Sequence, residues 1–299
     1  MEIKQRTNIA FLLGVMPRSG TNYIFRAILH HPLIDKVVPP GEDYLLYGSN
    51  YLWEFIDKVQ SKWSNNWEGM DRLKYRQRLV NSLQSGLAQY LLPKNESYKE
   101  GKYFFTKTPR TDNLNTFKEL FPDSKLIIVV RDGKQIVTSG VKSFKWTYIK
   151  SMKEYSESLQ RIIAFINHNP PESYCVVKYE KFCQNPELEI KKILNYLELD
   201  VNLYDFSLIS EMPVLGSSNE VNDQTGDFEW KVVEKTKVKP YKPIKWHPLL
   251  FWRYRQICGN FTSFFGYEDN DYQAQYSMKS MGKYFRAELR QLKIKLFYR

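Results

Sequence analysis

The 299-residue sequence has only three cysteines, and they cannot build a cross-linked or metal-bound scaffold. No Cys-x-x-Cys pair occurs among Cys175, Cys183 and Cys258, and an odd count leaves no complete set of disulfide bonds. This pattern excludes a disulfide-rich secreted domain and a zinc module. We therefore expect three reduced, mostly buried thiols and no metal site.

Long apolar runs are also missing. No stretch approaches the roughly 20 apolar residues that cross a bilayer. The apolar run near the N terminus, "NIAFLLGV", is short and leads to Pro17 and Arg18 without the small residues of a signal cleavage site. The sequence therefore predicts a soluble, cytoplasmic protein.

Acidic residues are outnumbered, with 33 Asp and Glu against 44 Lys and Arg and a formal net charge of +11. Such an excess favours anionic partners, which include nucleotides, phosphorylated or sulfated molecules, nucleic acids and acidic membranes. A nucleic-acid role would require aromatic residues within a basic groove and a known binding module. We find neither and expect no nucleic-acid partner.

The sequence does have short apolar runs that alternate with helical patterns. The runs are nearly continuous in apolar residues, as in strands covered on both faces, and lie at 9–15, 103–107, 125–130 and 173–178. Helical patterns lie at 20–30, 70–92, 112–121, 132–144, 152–167 and 186–197. This alternation predicts an α/β fold with right-handed crossovers, in which a central parallel sheet of about five strands has helices on both faces. We expect one three-layer domain of the phosphate-loop type over residues 1–299, with its core at 8–200.

The C-terminal third has a different pattern. Residues 229–246 contain two prolines and six lysines between positions 231 and 245, which predicts a loop or edge segment rather than a helix. Apolar residues at three- and four-residue spacing predict an amphipathic helix at about 278–298. We expect this helix to pack on the domain. Its basic polar face leaves docking on an acidic membrane or on a carrier partner as an alternative.

The stretch "VMPRSGTNYI" at 15–24 predicts a strand that turns through Ser and Gly onto a helix N-terminus, where backbone N–H groups bind anions. In the usual phosphate loop, Lys and Ser/Thr follow the last glycine. Thr21 and Asn22 occupy those positions here, and the cation lies upstream at Arg18. The loop therefore favours an anion other than a metal-bound triphosphate. The alternative is a plain turn in which Ser19 caps the helix.

A second candidate anion site lies in "KLIIVVRDGKQIVTSGVKS". Arg131 follows a buried strand directly, and Ser139 lies eight residues on, within the next helix pattern. Ligands of open parallel sheets bind beyond the carboxyl ends of the strands, so this site and the first loop are expected at one edge. Two anion sites at one edge suit a nucleotide with phosphates at two separate positions. The alternative is that Asp132 caps the helix while Arg131 makes a surface ion pair.

Together, these two elements resemble the sulfotransferases that use 3′-phosphoadenosine-5′-phosphosulfate (PAPS). That family has a P-[RK]-[ST]-G-[TS]-[TSN] loop after the first strand and an Arg at a later strand end with a Ser eight residues on. The closest motifs are those of the protein-tyrosine sulfotransferase branch, which related soluble microbial sulfotransferases share. The matching segments of this chain are "HHP" at 30–32, "PPGEDY" at 39–44, "FTKTPR" at 105–110 and "VVKYEKFCQNPELEIKKILNYLEL" at 176–199. The resemblance covers roughly residues 8–200.

The resemblance implies a site for the donor nucleotide. Arg18 and Ser19, with Gly20, Thr21 and Asn22, would hold the 5′-phosphosulfate. The 3′-phosphate would be held by Arg131 and Ser139, the adenine would lie near Tyr179, and Lys237 or Lys239 of the basic segment would close the site.

The resemblance also implies catalytic roles. Glu42 matches the carboxylate that acts as general base, and Lys107 matches a lysine near the bridging oxygen of the leaving group. Arg18 would join Lys107 in stabilising the transition state, because sulfuryl transfer leaves the protein mainly positioning and charge stabilisation. His247 is the reserve candidate for the base.

The expected activity is metal-independent, in-line transfer of a sulfuryl group from PAPS to a hydroxyl acceptor, with 3′-phosphoadenosine 5′-phosphate (PAP) as product. A sugar, a lipid, a phenol or tyrosine, and a small natural product all remain open as acceptors. One alternative is a phosphate-loop phosphotransferase or nucleotidase, which Thr21 and Asn22 disfavour. The other is a non-catalytic nucleotide-binding protein on the same fold.

Overall fold

The computed structural model describes most of the chain, in several segments. The described residues are 8–37, 42–92, 101–144, 146–212, 214–221, 228–235, 243–267, 272–276, 278, 281–282, 284–286, 288–289 and 293.

Five parallel strands form the central sheet, in the spatial order β2-β3-β1-β4-β5. They are β1 (Asn8–Gly14), β2 (Ile34–Lys36), β3 (Tyr103–Thr108), β4 (Lys125–Val130) and β5 (Cys175–Lys178). Every neighbouring pair is parallel, which confirms the predicted sheet. β2 was not predicted, because three residues with the sequence "IDK" carry no strand periodicity. β5 begins two residues later than expected because a 3₁₀ turn occupies Pro171–Ser173.

Ten α-helices are described over their full length. They are α1 (Thr21–Ile28), α2 (Ser49–Gln60), α3 (Arg72–Leu91), α4 (Phe117–Leu120), α5 (Gly133–Phe144), α6 (Tyr148–His168), α7 (Tyr179–Gln184), α8 (Pro186–Tyr196), α9 (Ser207–Glu211) and α10 (Pro248–Thr262). Side chains cap the starts of some of these helices, including α3 and α8. The Asp71 carboxylate accepts a hydrogen bond from the backbone N–H of Lys74 at the start of α3, and Pro186 opens α8 after Asn185.

Apolar residues on the two sides of β1 enter two separate cores. Phe11 and Leu13 pack in the core beneath α5, α6 and α10, while Ala10 and Leu12 pack in the core beneath α1, α7 and α8. All four side chains are essentially inaccessible to solvent. Because successive strand residues point to opposite faces, an uninterrupted apolar strand requires helices on both sides. The three-layer arrangement is the result.

The C-terminal third contains two small sheets. β6 (Val214–Val221) and β7 (Phe228–Lys235) form an antiparallel pair, and β8 (Ile244–Trp246) pairs in parallel with β9 (Tyr272–Ala274). In the segment 229–246, the described residues therefore contain strands and no helix, as expected for an edge segment.

The terminal segment has helical backbone at several described positions between 278 and 293. Glu288 of this segment pairs with Arg253 of α10, with Arg253 Nε 3.1 Å from Glu288 Oε1. Met278, Phe285 and Leu289 of the expected apolar face are each more than half exposed. The segment contacts the domain through Tyr284 and Glu288, while the apolar stripe is exposed at these three positions. None of the helices within the described ranges is long and apolar enough to cross a membrane.

Candidate active site

The residues expected in the site follow strands that end at one edge of the sheet. In the register of the sheet, Leu12 lies opposite Lys107 and Gly14 lies opposite Val129. On the far side of β4, Val130 lies opposite Lys178. The loop after β1, the end of β3, Arg131 after β4 and Tyr179 after β5 therefore start side by side. Carboxyl ends of parallel strands are the usual ligand edge of such sheets.

The loop between β1 and α1 has the backbone of an anion-binding turn. Arg18 and Gly20 have positive φ angles of 78° and 93° on either side of Ser19. Alternating left- and right-handed residues direct successive N–H groups into one concave surface. α1 begins directly after Gly20, and no side chain caps it. The first N–H groups of α1, from Thr21 and Asn22, therefore point out of the helix toward the loop opening.

The hydroxyl group of Ser19 makes no hydrogen bond to the described part of the protein. The residue is completely buried, and its Oγ has no hydrogen-bond partner among the described residues. The alternative in which Ser19 caps the helix is therefore wrong, because the N-cap position belongs to Gly20. Gly14 makes room for this arrangement, since a Cβ there would lie 2.3 Å from Ser19 Oγ and 3.2 Å from the Cα of Pro109. A buried hydroxyl without a partner is costly in the free protein and fits a bound polar group.

Tyr179 packs directly on the loop. A Cβ added to Gly20 would lie 2.1 Å from two carbon atoms of the Tyr179 ring, so only glycine permits this approach. The guanidinium carbon of Arg131 lies 4.2 Å from the centroid of the same ring, at cation–π distance. Burial raises the pKa of the Tyr179 phenol well above its ordinary value, which keeps the ring neutral.

Arg18, Arg131 and Ser139 form one connected cluster. Arg18 Nε donates to Ser139 Oγ at 2.9 Å, and one terminal nitrogen of Arg131 donates to the backbone carbonyl of Arg18 at 2.7 Å. The Nε of Arg131 is buried and has no hydrogen-bond partner among the described residues. Burial lowers the pKa of Arg18, and the nearby charge of Arg131 lowers it further. A bound anion would offset the electrostatic repulsion between these two guanidinium groups.

The backbone around Arg131 is held by side chains that the sequence patterns did not indicate. The Tyr155 hydroxyl donates to the backbone carbonyl of Arg131 at 2.8 Å. Glu180, next to Tyr179, accepts from the backbone N–H of Asp132 at 3.0 Å and from the Tyr267 hydroxyl at 2.9 Å. Asp132 caps α5, as the alternative interpretation expected, by accepting from the N–H of Lys134 at 2.9 Å. That alternative is wrong about Arg131, which among the described residues contacts Arg18 and the Tyr179 ring rather than a surface carboxylate.

Glu42 and Lys107 form an ion pair. Lys107 is the penultimate residue of β3 and is buried, and its Nζ donates to Glu42 Oε1 at 2.6 Å. The Tyr44 hydroxyl donates to Glu42 Oε2, also at 2.6 Å. The structure therefore brings together the two residues that the family motifs single out as base and electrophilic partner. It adds Tyr44, which no motif indicates.

Asp43 attaches the segment 42–44 to β3. Its carboxylate accepts from Thr106 Oγ1 at 2.7 Å and from the backbone N–H of Leu45 at 2.9 Å. Burial raises the pKa of this carboxyl group. The backbone N–H of Tyr44 donates to Thr108 Oγ1 at 3.1 Å. The contacts with Thr106 and Thr108 join positions more than 60 residues apart, and no local pattern could have predicted them.

Of the three remaining candidates, His247 falls within the described residues. His247 is the N-cap of α10 and accepts from the backbone N–H of Leu249 at 3.3 Å, which is a structural role for the reserve base. Lys237 and Lys239 lie outside the described residues. Across the described part of the chain, no group of three or more His, Cys, Asp and Glu residues is arranged to hold a metal ion.

Comparison with known proteins adds a family-level match. A model of the sulfotransferase family matches residues 10–202 of the chain. Protein-tyrosine sulfotransferase A of Caenorhabditis elegans is 22% identical over 264 residues, which are 83% of this chain and 62% of that protein. A Caenorhabditis briggsae relative, also named as a protein-tyrosine sulfotransferase, is 26% identical over 221 residues. These residues are 71% of this chain and 72% of that protein.

Solved structures include similar chains as well. The sulfotransferase domain of the olefin synthase from Synechococcus PCC 7002 matches with a TM-score of 0.47 and 18% sequence identity, covering 74% of this chain and 81% of that domain.

Proposed function

The chain belongs to the sulfotransferase family, and we propose that it transfers a sulfuryl group from PAPS to the hydroxyl oxygen of an acceptor. The observation that carries the proposal is the cluster of Arg18, Arg131 and Ser139 around a loop with an unpartnered buried hydroxyl. It combines two cations with outward-pointing helix N–H groups, as a donor with phosphates at two positions requires. The acceptor class stays open among sugars, lipids, phenols or tyrosine, and small natural products.

The residues present fit this donor nucleotide. Ser19 Oγ and the helix N–H groups offer hydrogen-bond donors that no described protein group uses. The loop from Arg18 to Asn22 would hold the 5′-phosphosulfate, and Arg131 with Ser139 would hold the 3′-phosphate. Tyr179 would lie on the adenine side. Lys237 and Lys239 stay in the proposal from the family motifs alone.

The chain's own residues would supply proton transfer and charge stabilisation. The donor, when bound, supplies the sulfuryl group and a phosphate leaving group. Glu42 would take the proton of the acceptor hydroxyl at Oε2, the oxygen opposite its contact with Lys107. Lys107 and Arg18 would stabilise negative charge as it develops on the leaving phosphate. A sulfuryl group carries less charge than a phosphoryl group, so side-chain cations can serve without a metal ion.

We further propose a reducing compartment such as the cytoplasm. All three cysteines are free thiols, and Cys175 and Cys258 are buried. Burial raises the pKa of Cys175 to about 11, which keeps it a neutral, inert thiol. Alkylation after denaturation without reductant should modify three cysteines in protein isolated from its host.

Calorimetric titration with PAP, with and without Mg²⁺, tests the function. We expect binding that does not depend on Mg²⁺ and that weakens about 10- to 100-fold in Arg131→Ala, because charge-assisted hydrogen bonds to phosphate are lost. Arg76→Ala is the matched control. This variant removes an arginine that pairs with Asp57 on the surface, 2.8 Å from its carboxylate, and should leave the affinity unchanged.

The titration tests the first alternative, and an acceptor screen for turnover tests the second. A phosphotransferase or nucleotidase would bind ATP in a Mg²⁺-dependent manner and would not respond to PAP. A non-catalytic nucleotide-binding protein would bind PAP normally, retain that binding in Glu42→Gln, and show no turnover in any acceptor screen. Either result would contradict the proposed transferase activity.

A further inference from the structure

Both carboxylate oxygens of Glu42 have a partner in the structure. Lys107 Nζ donates to Oε1 and the Tyr44 hydroxyl donates to Oε2, each at 2.6 Å. A general base must accept a hydrogen bond from the group that it deprotonates. The Tyr44 hydroxyl therefore donates to Glu42 as the hydroxyl of a bound acceptor would have to do.

The backbone of Tyr44 is held in an unfavourable conformation. Its φ angle of 51° lies in the left-handed region, which bulky side chains rarely adopt. Contacts with β3 maintain it, because the Tyr44 N–H donates to Thr108 Oγ1 and the preceding Asp43 carboxylate accepts from Thr106 Oγ1. Strained residues persist where surrounding contacts over-determine them, and they cluster at functional sites. This strained backbone conformation places the Tyr44 hydroxyl on Glu42.

The Tyr44 ring lies at the surface rather than in either core. It is 41% exposed and makes an edge-to-face contact with Tyr47, which is 56% exposed, at a centroid distance of 6.5 Å. A ring needed for packing would be buried in one of the two cores. Rotation of this side chain toward solvent would expose Glu42 Oε2 while the contact with Lys107 stays in place.

We propose that the Tyr44 hydroxyl occupies the acceptor position on Glu42 and is displaced by the incoming acceptor, so that water is kept off the base until then. This inference rests on the proposed function, and Tyr44 is a positioning residue that acts through Glu42. Water on Oε2 would be the smallest competing acceptor. Its oxygen would form a new bond to sulfur, its proton would go to Oε2, and the bond from sulfur to the bridging oxygen would break. The net result would be wasteful hydrolysis of PAPS to PAP and sulfate.

Tyr44→Phe tests this directly, because the ring stays and only the hydroxyl is lost. We expect release of PAP from PAPS in the absence of any acceptor to rise about fivefold or more, the factor by which one lost hydrogen bond favours a competing water. A structural defect would lower this rate rather than raise it. Tyr47→Phe, which removes the hydroxyl of the neighbouring ring, should leave it unchanged. Combining Tyr44→Phe with Glu42→Gln should abolish the increase.

The outcomes separate this inference from the function on which it rests. If wild type and Tyr44→Phe both bind PAP but hydrolysis in the variant stays at or below the wild-type rate, the role of Tyr44 is wrong and the transferase function stands. If wild type does not bind PAP, the function fails and the role of Tyr44 fails with it. Increased hydrolysis that depends on Glu42 supports both.

Discussion

Arg18 Nε donates a hydrogen bond to Ser139 Oγ at 2.9 Å, although the two residues are 121 positions apart in the sequence. The contact joins the loop after β1 to the middle of α5. Arg131 strengthens the connection by donating to the carbonyl of Arg18. The two candidate anion sites are therefore one preorganised unit, and changes in the loop should alter binding at both.

Ser19→Ala should weaken PAP binding about tenfold without destabilising the free protein. The Ser19 hydroxyl is buried without a partner, so its removal should leave the free energy of unfolding unchanged or raise it by about 1 kcal/mol. Ser49→Ala is the contrasting control, because that buried hydroxyl contacts the Leu46 carbonyl and Thr116 Oγ1. This control should lose about 1–2 kcal/mol in denaturant unfolding. Equal destabilisation by the two changes would mean that Ser19 is bonded within the free protein.

Gly20→Ala should be much more damaging than Gly69→Ala. Both glycines have positive φ angles, 93° and 70°, so alanine costs about 1 kcal/mol of backbone strain at either position. A Cβ at Gly69 meets nothing within 4 Å, whereas at Gly20 it would collide with the Tyr179 ring. Overpacking adds about 1–3 kcal/mol. Denaturant unfolding of both variants measures the difference. Equal losses in the free energy of unfolding would show that the Tyr179 ring moves aside at no cost.

Glu42→Gln should lower sulfuryl transfer at least about 100-fold while PAP affinity stays within about threefold, because loss of a general base affects chemistry and not donor binding. Glutamine keeps an oxygen that can accept from Lys107, so the fold should be retained. Transfer is followed as PAP release with an acceptor found by screening. Glu154→Gln, which changes a partly exposed carboxylate near Arg110, is the control and should retain activity. Full activity in Glu42→Gln would remove Glu42 as the base.

Asp43→Asn should gain stability relative to wild type as the pH rises from about 4 to 7. Burial raises the pKa of Asp43 above its ordinary value of 3.8, so the folded protein binds the proton more tightly than the unfolded chain. The stability that Asp43 contributes is complete below the unfolded pKa and is lost as the pH rises through the folded pKa. Asparagine does not titrate and keeps an acceptor oxygen for the N–H of Leu45.

Asp205→Asn supplies a control of opposite sign. Hydrogen bonds from Ser207 lower the pKa of Asp205, so its contribution to stability is present above the unfolded pKa and lost as the pH falls. This variant should lose stability relative to wild type as the pH rises. Denaturant unfolding across the pH series measures both, and parallel behaviour of the two variants would contradict the burial of Asp43.

Local pattern determined much of the fold. β1, β3 and β4 are continuous apolar runs, and α5 and α8 have clear helical spacing, so each could be recognised without its neighbours. β2 was missed because three residues are too few to show a strand period. α2 was missed although it carries a signal, since Leu52, Ile56 and Val59 recur at helical spacing and Leu52 and Trp53 pack against the core. α10 did carry a signal, since His247 and Pro248 form an ordinary helix start.

The sequence by itself determined the candidate donor site, because Arg18, Ser19 and Arg131 lie at the carboxyl ends of recognisable strands and every parallel strand ends at the same edge. Only the tertiary structure decided how these residues meet. The spatial order β2-β3-β1-β4-β5 brings Lys107 to Glu42, Tyr44 to Thr108 and Tyr179 to Gly20. Such pairs depend on sheet order and on side-chain packing between distant segments, and neither leaves a periodic signal in the sequence. The buried, unpartnered hydroxyl of Ser19 and the second partner of Glu42 are therefore visible only in the folded chain.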